Sequence, residues 1–402
     1  MCDPLGPQMI DTRRGFGIVN PFFATLNWSI QVNISAEIRF GLIGCGRIAK
    51  RHADLLGHGL IKGARLSAVC DVRPERAEAV GRAFGVPHFA DLHAMMASVE
   101  LDAVSILTPS GMHAANLLAV APFGKHVVVE KPMALTLGDA AAMIAACQRH
   151  RILMFVVKQN RFNVPVIKMR EALTQGRFGK LFLGTVRVRW CRTQKYYDQD
   201  AWRGTWAQDG GVLANQASHH IDLLEWMMGD VESVNARAIR AAADIEAEDT
   251  ATAILKFKSG ALGIIEATTA TRPSDLEGSI SLLGERGTVE IGGFAVNELK
   301  VWNFTDPSPE DRDVLERCSV NPPNVYGFGH QAYYEHVVDC IRNGTQLLID
   351  GAEGRRSLEL ITALYESIES NAEVRLPMMT PRASRLGGEG HADARSGISQ
   401  IR

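Results

Sequence analysis

The stretch IRFGLIGCGRIAKRHADLL, which begins at Ile38, constrains the fold of this chain more than any other segment. A short apolar run ends in glycines, and the following residues continue at helical spacing. Gly44, Gly46 and Ala49 place the pattern G-x-G-x-x-A at the junction. Such glycines let the backbone turn tightly and approach a pyrophosphate, whose charge is met by amides at the helix N-terminus. Because glycine-rich turns are common, the neighbouring segments must decide the function.

Strands and helices alternate after this turn. The apolar segments RLSAVCDV (65–72), LDAVSILTPS (101–110) and KHVVVEKP are separated by helical patterns, among them PERAEAVGRAFG and residues 113–123. This spacing predicts an α/β domain with a doubly wound parallel sheet.

Asp71 ends the second predicted strand. An acidic residue there can accept hydrogen bonds from both ribose hydroxyls of a dinucleotide and repels a 2′-phosphate, which favours NAD over NADP. Arg73 leaves NADP open, and a cap or turn role is the alternative for Asp71.

Two polar tripeptides, Thr108-Pro109-Ser110 and Glu130-Lys131-Pro132, follow predicted strands. Ligands of doubly wound sheets bind beyond these carboxyl ends. Lys131 is therefore a candidate donor to a reacting oxygen, although most lysines are solvated surface residues. Pro132 fixes the loop and is compatible with a cis bond.

The pattern changes beyond about residue 160. Residues 181–193, 233–242, 249–270 and 277–293 alternate and are rich in β-branched side chains. They predict an open, largely antiparallel sheet, one face of which is suited to a subunit interface. We expect the terminal helical segments 329–343 and 351–371 to pack back on the first domain.

GGVLANQASHHIDLLEW (210–226) is a predicted helix in this second domain whose apolar run is interrupted by polar residues. Asn215, His219 and Asp222 share one face at i, i+4 and i+7, and His220 points about 100° away. Histidine is suited to proton transfer near neutral pH. A buried histidine with structural hydrogen bonds is the alternative for His219.

The composition indicates a globular protein of two domains: 402 residues, 46% hydrophobic, 22% charged and a net charge of −2. That charge excludes a basic nucleic-acid surface and a polybasic membrane anchor. Seven cysteines without CxxC spacing indicate a reduced, cytoplasmic protein and no metal site. No stretch reaches the roughly 18 apolar residues of a membrane span.

Four regions are predicted along the chain. Residues 1–36 form an N-terminal extension outside the core, with a signal peptide as the alternative. Residues 37–158 form the nucleotide-binding domain and 159–378 the α+β domain for substrate binding and oligomerisation. Residues 379–402 are polar and glycine-rich, which predicts a disordered tail.

The motifs together resemble the Gfo/Idh/MocA family of oxidoreductases over residues 38–377. They are GCGRIA after the first strand, a TP dipeptide, GKHVVVEKP and a GG…N…H..D helix. Within that family the chain looks most similar to the WlbA-type dehydrogenases of UDP-N-acetylated sugars. The stretches that carry this are VVKQNRFN, YYDQDAWRGTWAQDGG, NQASHHIDLLEW, LEGSISLLGERGTVEIGGFAVNE and VYGFGH.

The resemblance implies a set of site residues. Lys131 and His219 would hold the reacting oxygen and accept its proton, in either assignment, and Asn215 stands where many members carry aspartate. Expected cofactor-binding residues are Gly44, Gly46, Arg47, Ile48, Asp71, Thr108, Pro109, His113, Glu130 and Lys131. Expected substrate-binding residues are Lys158, Asn160, Arg161, Asn163, Tyr197, Arg203, Trp206, Asn215 and His219.

The resemblance also implies an activity. It is the NAD-dependent oxidation of the C3 hydroxyl of a UDP-N-acetylhexosamine, either UDP-GlcNAcA or UDP-GlcNAc, to a 3-keto sugar for surface polysaccharide or lipid A. Relatives are often homotetramers, and some reoxidise NADH with 2-oxoglutarate. A dehydrogenase of a free sugar or inositol, and a non-catalytic NAD(P)-binding regulator, are the alternatives.

Overall fold

The computed structural model describes residues 37–319, 322, 327–379, 385–388 and 399–400. The predicted extension 1–36 and most of the predicted tail lie outside these residues. The α/β class is confirmed, since a parallel sheet is followed by a mixed and mostly antiparallel one. Among the described helices, none combines the length and apolar character that a bilayer span needs.

The first sheet contains six parallel strands within residues 37–158, in the order β3-β2-β1-β4-β5-β6. Its strands are β1 Ile38–Ile43, β2 Ala64–Cys70, β3 His88–Phe89, β4 Ala103–Ile106, β5 His126–Val129 and β6 Met154–Val156. Its helices are α1 Ala49–Gly57, α2 Pro74–Phe84, α3 Leu92–Ser98, α4 His113–Val120 and α5 Leu137–His150. Apart from the short edge strand β3, the strands are largely buried, as their near-continuous apolar sequences require.

The second sheet has the order β13-β12-β11-β7-β10-β9-β8-β14, and β15 pairs with β8. Its strands are β7 Leu181–Arg189, β8 Val231–Arg240, β9 Thr250–Phe257, β10 Leu262–Thr268, β11 Glu277–Gly284, β12 Gly287–Gly292, β13 Glu298–Phe304, β14 Val374–Arg375 and β15 Ser399–Gln400. The remaining α-helices are α6 Val164–Thr174, α7 Gln194–Tyr197, α8 Ser218–Met228, α9 Val314–Arg317, α10 Gly329–Asn343 and α11 Gly351–Ser370. Strand β10 pairs in parallel with β7 and antiparallel with β9, so the sheet is mixed.

The two terminal helices join the two sheets. Tyr333 and Tyr334 of α10 are buried in the core of the first sheet, whereas Leu360 and Leu364 of α11 are buried in the core of the second. These helices therefore contribute to both cores, and a cavity is lined by residues of both domains.

The predicted helix over 211–228 is shorter than expected. Val212–Gln216 forms a π-helical turn, and the regular helix α8 begins only at Ser218. The hydroxyl of Tyr365 accepts hydrogen bonds from the amides of Gly211 and Ala214, and the Glu248 carboxylate accepts one from Leu213. The amide of Ala217 donates to the carbonyl of Val212, five residues earlier, which makes the turn π-helical, a feature frequent at functional sites.

The prediction of a disordered tail is wrong for residues 385–388. Leu386 is buried in the second core, and the amide of Gly387 donates to the carbonyl of Trp206 at 2.8 Å. One apolar side chain is enough to anchor this short segment. Residues 380–384, 389–398 and 401–402 lie outside the described part of the chain.

Candidate active site

The glycine turn between β1 and α1 is built for close approach. Gly44 has φ +96°, and a Cβ there would lie 2.8 Å from the carbonyl carbon of Leu107, so only glycine fits. A Cβ at Gly46 would meet nothing within 4 Å, so this part of the turn faces open space. Asp71 holds the turn, since its Oδ2 accepts a hydrogen bond from the Cys45 amide at 2.7 Å. This geometry fits a dinucleotide whose pyrophosphate rests on the turn.

A cavity of about 580 Å³ runs from this turn to helix α8. All ten predicted cofactor-binding residues line it: Gly44, Gly46, Arg47, Ile48, Asp71, Thr108, Pro109, His113, Glu130 and Lys131. They belong to the carboxyl ends of the parallel strands and to the loops that follow. The cavity thus joins the glycine turn to the predicted catalytic pair.

Lys131 reaches across the cleft to the π-helical turn. Its Nζ donates to the backbone oxygen of Asn215 at 2.9 Å and to the side-chain oxygen of Asn215 at 3.2 Å. Burial lowers the pKa of Lys131 from its ordinary value, against the opposing charges of Glu130 and Asp209. The peptide bond between Lys131 and Pro132 is cis, as the sequence allowed.

His219 lines the same cavity at the start of α8. The side-chain nitrogen of Gln159 lies 3.1 Å from Nε2. Because an amide N–H can only donate, Nε2 is the acceptor and the ring proton is on Nδ1. Nδ1 itself is buried without a partner among the described residues. Burial lowers the pKa of His219 far below its usual value, and the positive charges of Lys131 and Lys158 act in the same direction.

The sequence did not single out the partners of Glu130. Its carboxylate lies 3.1 Å from Nε2 of His52, whose Nδ1 lies 2.6 Å from the Tyr334 hydroxyl. His52, Glu130 and His330 place possible metal-ligating atoms within 4.8 Å of one another, the one such group among the described residues. Burial would raise the pKa of Glu130, but hydrogen bonds from His330 and His52 hold it well below the usual value. We interpret the cluster as a hydrogen-bonded anchor that fixes the loop carrying Lys131.

Lys158 and Arg161, which follow β6, lie behind the cavity rather than in it. Arg161 forms two hydrogen bonds of 2.8 Å to the Asp222 carboxylate and one of 2.9 Å to Glu353, and Lys158 donates to the Ser357 hydroxyl. Burial would raise the pKa of Asp222, but the charges of Arg161 and Lys158 lower it to about 2. This buried network ties α8 to α11 and so positions His219.

The predicted substrate-binding residues therefore divide into two groups. Arg203, Asn215 and His219 line the cavity. Lys158, Asn160, Arg161, Asn163, Tyr197 and Trp206 do not, and they are buried elsewhere. The hydroxyl of Tyr197 hydrogen-bonds to Thr269, and the ring of Trp206 packs edge-on against Tyr365. The structure thus gives these six residues a supporting position.

Several lining residues lay outside the predicted set of site residues. Gln159, Trp190, Arg192, Tyr196, Asp200 and Trp202 all border the cavity. Most lie in the stretches VVKQNRFN and YYDQDAWRGTWAQDGG, so the signal was a polar or aromatic cluster near a strand end. Arg192 lies over the rings of Trp190 and Tyr196, which gives this end of the cavity an aromatic and basic wall.

A Rossmann sheet, a glycine turn held by an aspartate, and a facing lysine and histidine define an NAD-dependent oxidoreductase. Residues 38–158 match the oxidoreductase family described as the Gfo/Idh/MocA NAD-binding Rossmann fold. Residues 170–376 match its C-terminal alpha/beta domain. The chain belongs to the Gfo/Idh/MocA oxidoreductase family.

Relatives within the family act on different molecules. The structure of the WlbA dehydrogenase from Bordetella pertussis, in complex with NADH and UDP-GlcNAcA, is 45% identical, with a TM-score of 0.82 over 86% of this chain and 99% of that one. D-apiose dehydrogenase from Paraburkholderia graminis is 29% identical over 85% of this chain and 90% of its own. Myo-inositol 2-dehydrogenase from Thermotoga maritima is 29% identical over 84% of this chain and 98% of its own.

Proposed function

We propose that the chain oxidises the C3 hydroxyl of a UDP-N-acetylhexosamine to the 3-keto sugar, with UDP-GlcNAcA as the first candidate and UDP-GlcNAc as the second. The observation that carries this is the 45% identity, over nearly the whole of both chains, to a WlbA dehydrogenase bound to NADH and UDP-GlcNAcA. The arginines and aromatic rings of the cavity wall suit a diphosphate and a uracil. The product would serve amino-sugar biosynthesis for surface polysaccharide or lipid A.

The hydrogen bonds favour Lys131 as the proton acceptor. A neutral amine has two N–H groups and one lone pair, and both N–H groups of Lys131 are used by the two oxygens of Asn215. The lone pair is then free to accept the proton of the sugar hydroxyl. The ammonium that results is stabilised by these oxygens and by the nearby carboxylates.

His219 is less suited to accept the proton. Its Nε2 lies against the Gln159 amide and its Nδ1 is buried, so neither ring nitrogen is open to take the hydroxyl proton. Its low pKa opposes a positive charge on the ring beside a protonated Lys131. The sequence left both assignments open, and we propose that Lys131 takes the proton while His219 shapes the site beside it.

NAD, when bound, supplies the acceptor for the hydride that leaves C3. The chain's own contribution is to hold the hydroxyl between two side chains in a largely buried cleft, where a hydrogen bond is stronger than in water. The reaction balances, because the hydride and the hydroxyl proton leave together as the carbonyl forms.

The test is a substrate screen followed by NADH absorbance, with UDP-GlcNAcA, UDP-GlcNAc, D-apiose and myo-inositol, each with and without 2-oxoglutarate. We expect NADH from UDP-GlcNAcA, and a rise in melting temperature on addition of UDP alone. Oxidation of a free sugar with no response to UDP would favour the alternative, a free-sugar dehydrogenase like the D-apiose relative.

The assignment of the base has its own test. Lys131→Met should abolish turnover while NADH fluorescence still reports normal cofactor binding. His219→Asn should lower kcat/KM about 10²- to 10⁴-fold. It should keep the acidic limb of the pH profile, because protonation of Lys131 produces that limb. Loss of the acidic limb in His219→Asn would identify His219 as the base.

We also propose a homotetramer formed through the open face of the second sheet. Ile254 on β9 and Ile264 on β10 are directly paired and are 61% and 40% exposed, and Leu262 on the same face of β10 is 50% exposed. Scattered apolar residues are normal on a surface, but a contiguous apolar patch on a sheet face marks an association site. A second copy of the chain is the occupant that we expect there.

A further inference from the structure

A buried acid lies directly behind Asn215. Asp209 is 2% exposed, and its Oδ2 accepts a hydrogen bond from the Gly204 amide at 2.8 Å. Its Oδ1 accepts a hydrogen bond from Nδ2 of Asn215. Asp209 does not line the cavity, so it would contact neither the substrate nor the cofactor directly.

The contact fixes the orientation of the Asn215 amide. A carboxylate can only accept, so the nitrogen of the amide must face Asp209 and its oxygen must face Lys131. If the amide were reversed, its NH2 group would face Nζ of Lys131, and both groups would be hydrogen-bond donors. A row of three side chains therefore runs from Asp209 through Asn215 to Lys131.

The charge of Asp209 also acts on Lys131. Burial raises the pKa of Asp209 to about 6, and the Gly204 amide, Asn215 and the charges of Lys131 and Arg203 limit the rise, so the carboxylate is largely ionised above neutral pH. The charged groups that face Lys131 are two acids and three bases: Glu130, Asp209, Lys158, Arg203 and, when protonated, His219. Removing one of the two acids makes the net charge around Lys131 more positive.

We propose that Asp209 is a positioning residue that orients Asn215 and, through its charge, sets the pH at which Lys131 becomes able to accept a proton. The proposal deepens the proposed function and rests on Lys131 as the base. No group in the row transfers a proton except Lys131, because an amide orients and does not relay.

The pH profile of kcat/KM tests the charge. Asp209→Asn keeps an oxygen for the Asn215 amide and removes the negative charge. Because the Lys131 ammonium then loses an attractive partner, we expect the acidic limb to move down by about one pH unit. Glu225→Gln is the matched control: Glu225 is a buried acid of α8 that pairs with Arg356, and its loss should leave the limb in place. An unmoved limb in a folded, NAD-binding Asp209→Asn variant would overturn the proposal.

A second variant tests the proposal if Asp209→Asn does not fold. The double variant Asp209→Asn with Asn215→Asp exchanges acid and amide, so one carboxylate remains in the row and now adjoins Lys131. Its acidic limb should lie at or above the wild-type position, and a limb below it would contradict the proposal.

A spectroscopic readout separates this proposal from the choice of substrate. The ¹³Cε resonance of Lys131 in lysine-labelled protein, assigned with Lys131→Arg, titrates without any turnover. Its midpoint should fall in Asp209→Asn and stay in Glu225→Gln. If the wild type oxidises none of the sugars, the proposed function fails, and this titration still decides the role of Asp209.

Discussion

Replacing Arg161 by methionine distinguishes a structural role from a substrate-binding role. The sequence suggested that Arg161 binds a substrate carboxylate or pyrophosphate, whereas the structure commits its guanidinium to Asp222 and Glu353. Arg161 and Asp222 are 3% and 2% exposed, so water cannot replace the arginine at this site. The variant therefore leaves a buried carboxylate whose nearest remaining cation is Lys158, at 3.5 Å.

The expected cost follows from this geometry. Removing one partner of a buried pair destabilises a protein by about 3–5 kcal/mol. Lys158 compensates Asp222 in part, so we expect the lower end, about 3 kcal/mol. At this chain length that corresponds to a fall in melting temperature of about 3–5 °C. Turnover should fall as well, because Asp222 lies on the helix that carries His219.

The assay is thermal unfolding followed by circular dichroism, with steady-state kinetics on the same samples. Arg187→Met is the control, since its contact with Glu266 is 4.0 Å long and about one-third exposed, which limits the loss to less than about 1 kcal/mol. Arg161→Lys should also be destabilised, because an ammonium cannot form the paired hydrogen bonds. An unchanged melting temperature with a tenfold higher KM would refute the structural role.

Three further predictions concern the cofactor turn, a buried acid and the open sheet face. Gly44→Ala should lower both the melting temperature and the NADH affinity, because its Cβ would meet the Leu107 backbone. Gly46→Ala should lower only the NADH affinity, measured by fluorescence titration. Burial raises the pKa of Glu248 to about 7 from 4.5, so its contribution to stability is present below pH 4.5 and is lost as the pH rises through 7. The melting temperature of the wild type should therefore fall relative to Glu248→Gln between pH 5 and pH 8, and parallel curves would contradict this. The double variant Ile254→Lys with Ile264→Glu should keep the sheet paired by opposite charges and reduce the mass measured by light scattering; an unchanged mass would exclude this face as the interface.

Much of the architecture could be predicted from local patterns. The strand–turn–helix unit at Gly44, the alternation of strands and helices, and the alternating strands of the second half each repeat within a few residues. Such patterns reflect the burial of one face or both, which local sequence determines. The π-helical turn at Val212–Gln216 was not predicted, and the amides at its start are bound by Tyr365 and Glu248 from elsewhere in the chain.

The cofactor-binding side of the site could also be predicted from the sequence, whereas the substrate-binding side was predicted less well. Every predicted cofactor residue lines the cavity, because the carboxyl ends of parallel strands necessarily meet at one edge of the sheet. The polar cluster after β6 was identified as a substrate surface, yet Arg161 and Lys158 turn inward to Asp222. A polar residue near a strand end can face either way, and its sequence neighbours do not determine which.

The sequence by itself determined the class of the fold, the dinucleotide turn and the pairing of a lysine with a histidine across two domains. Only the tertiary structure decided what each polar side chain is bonded to. Lys131 and Asn215 are 84 residues apart, and Arg161 and Asp222 are 61 apart. The hydrogen bonds from which we propose Lys131 as the proton acceptor depend on such distant partners. Their chemistry is therefore a property of the packed chain, since burial and contact, rather than residue type, set the protonation of each group.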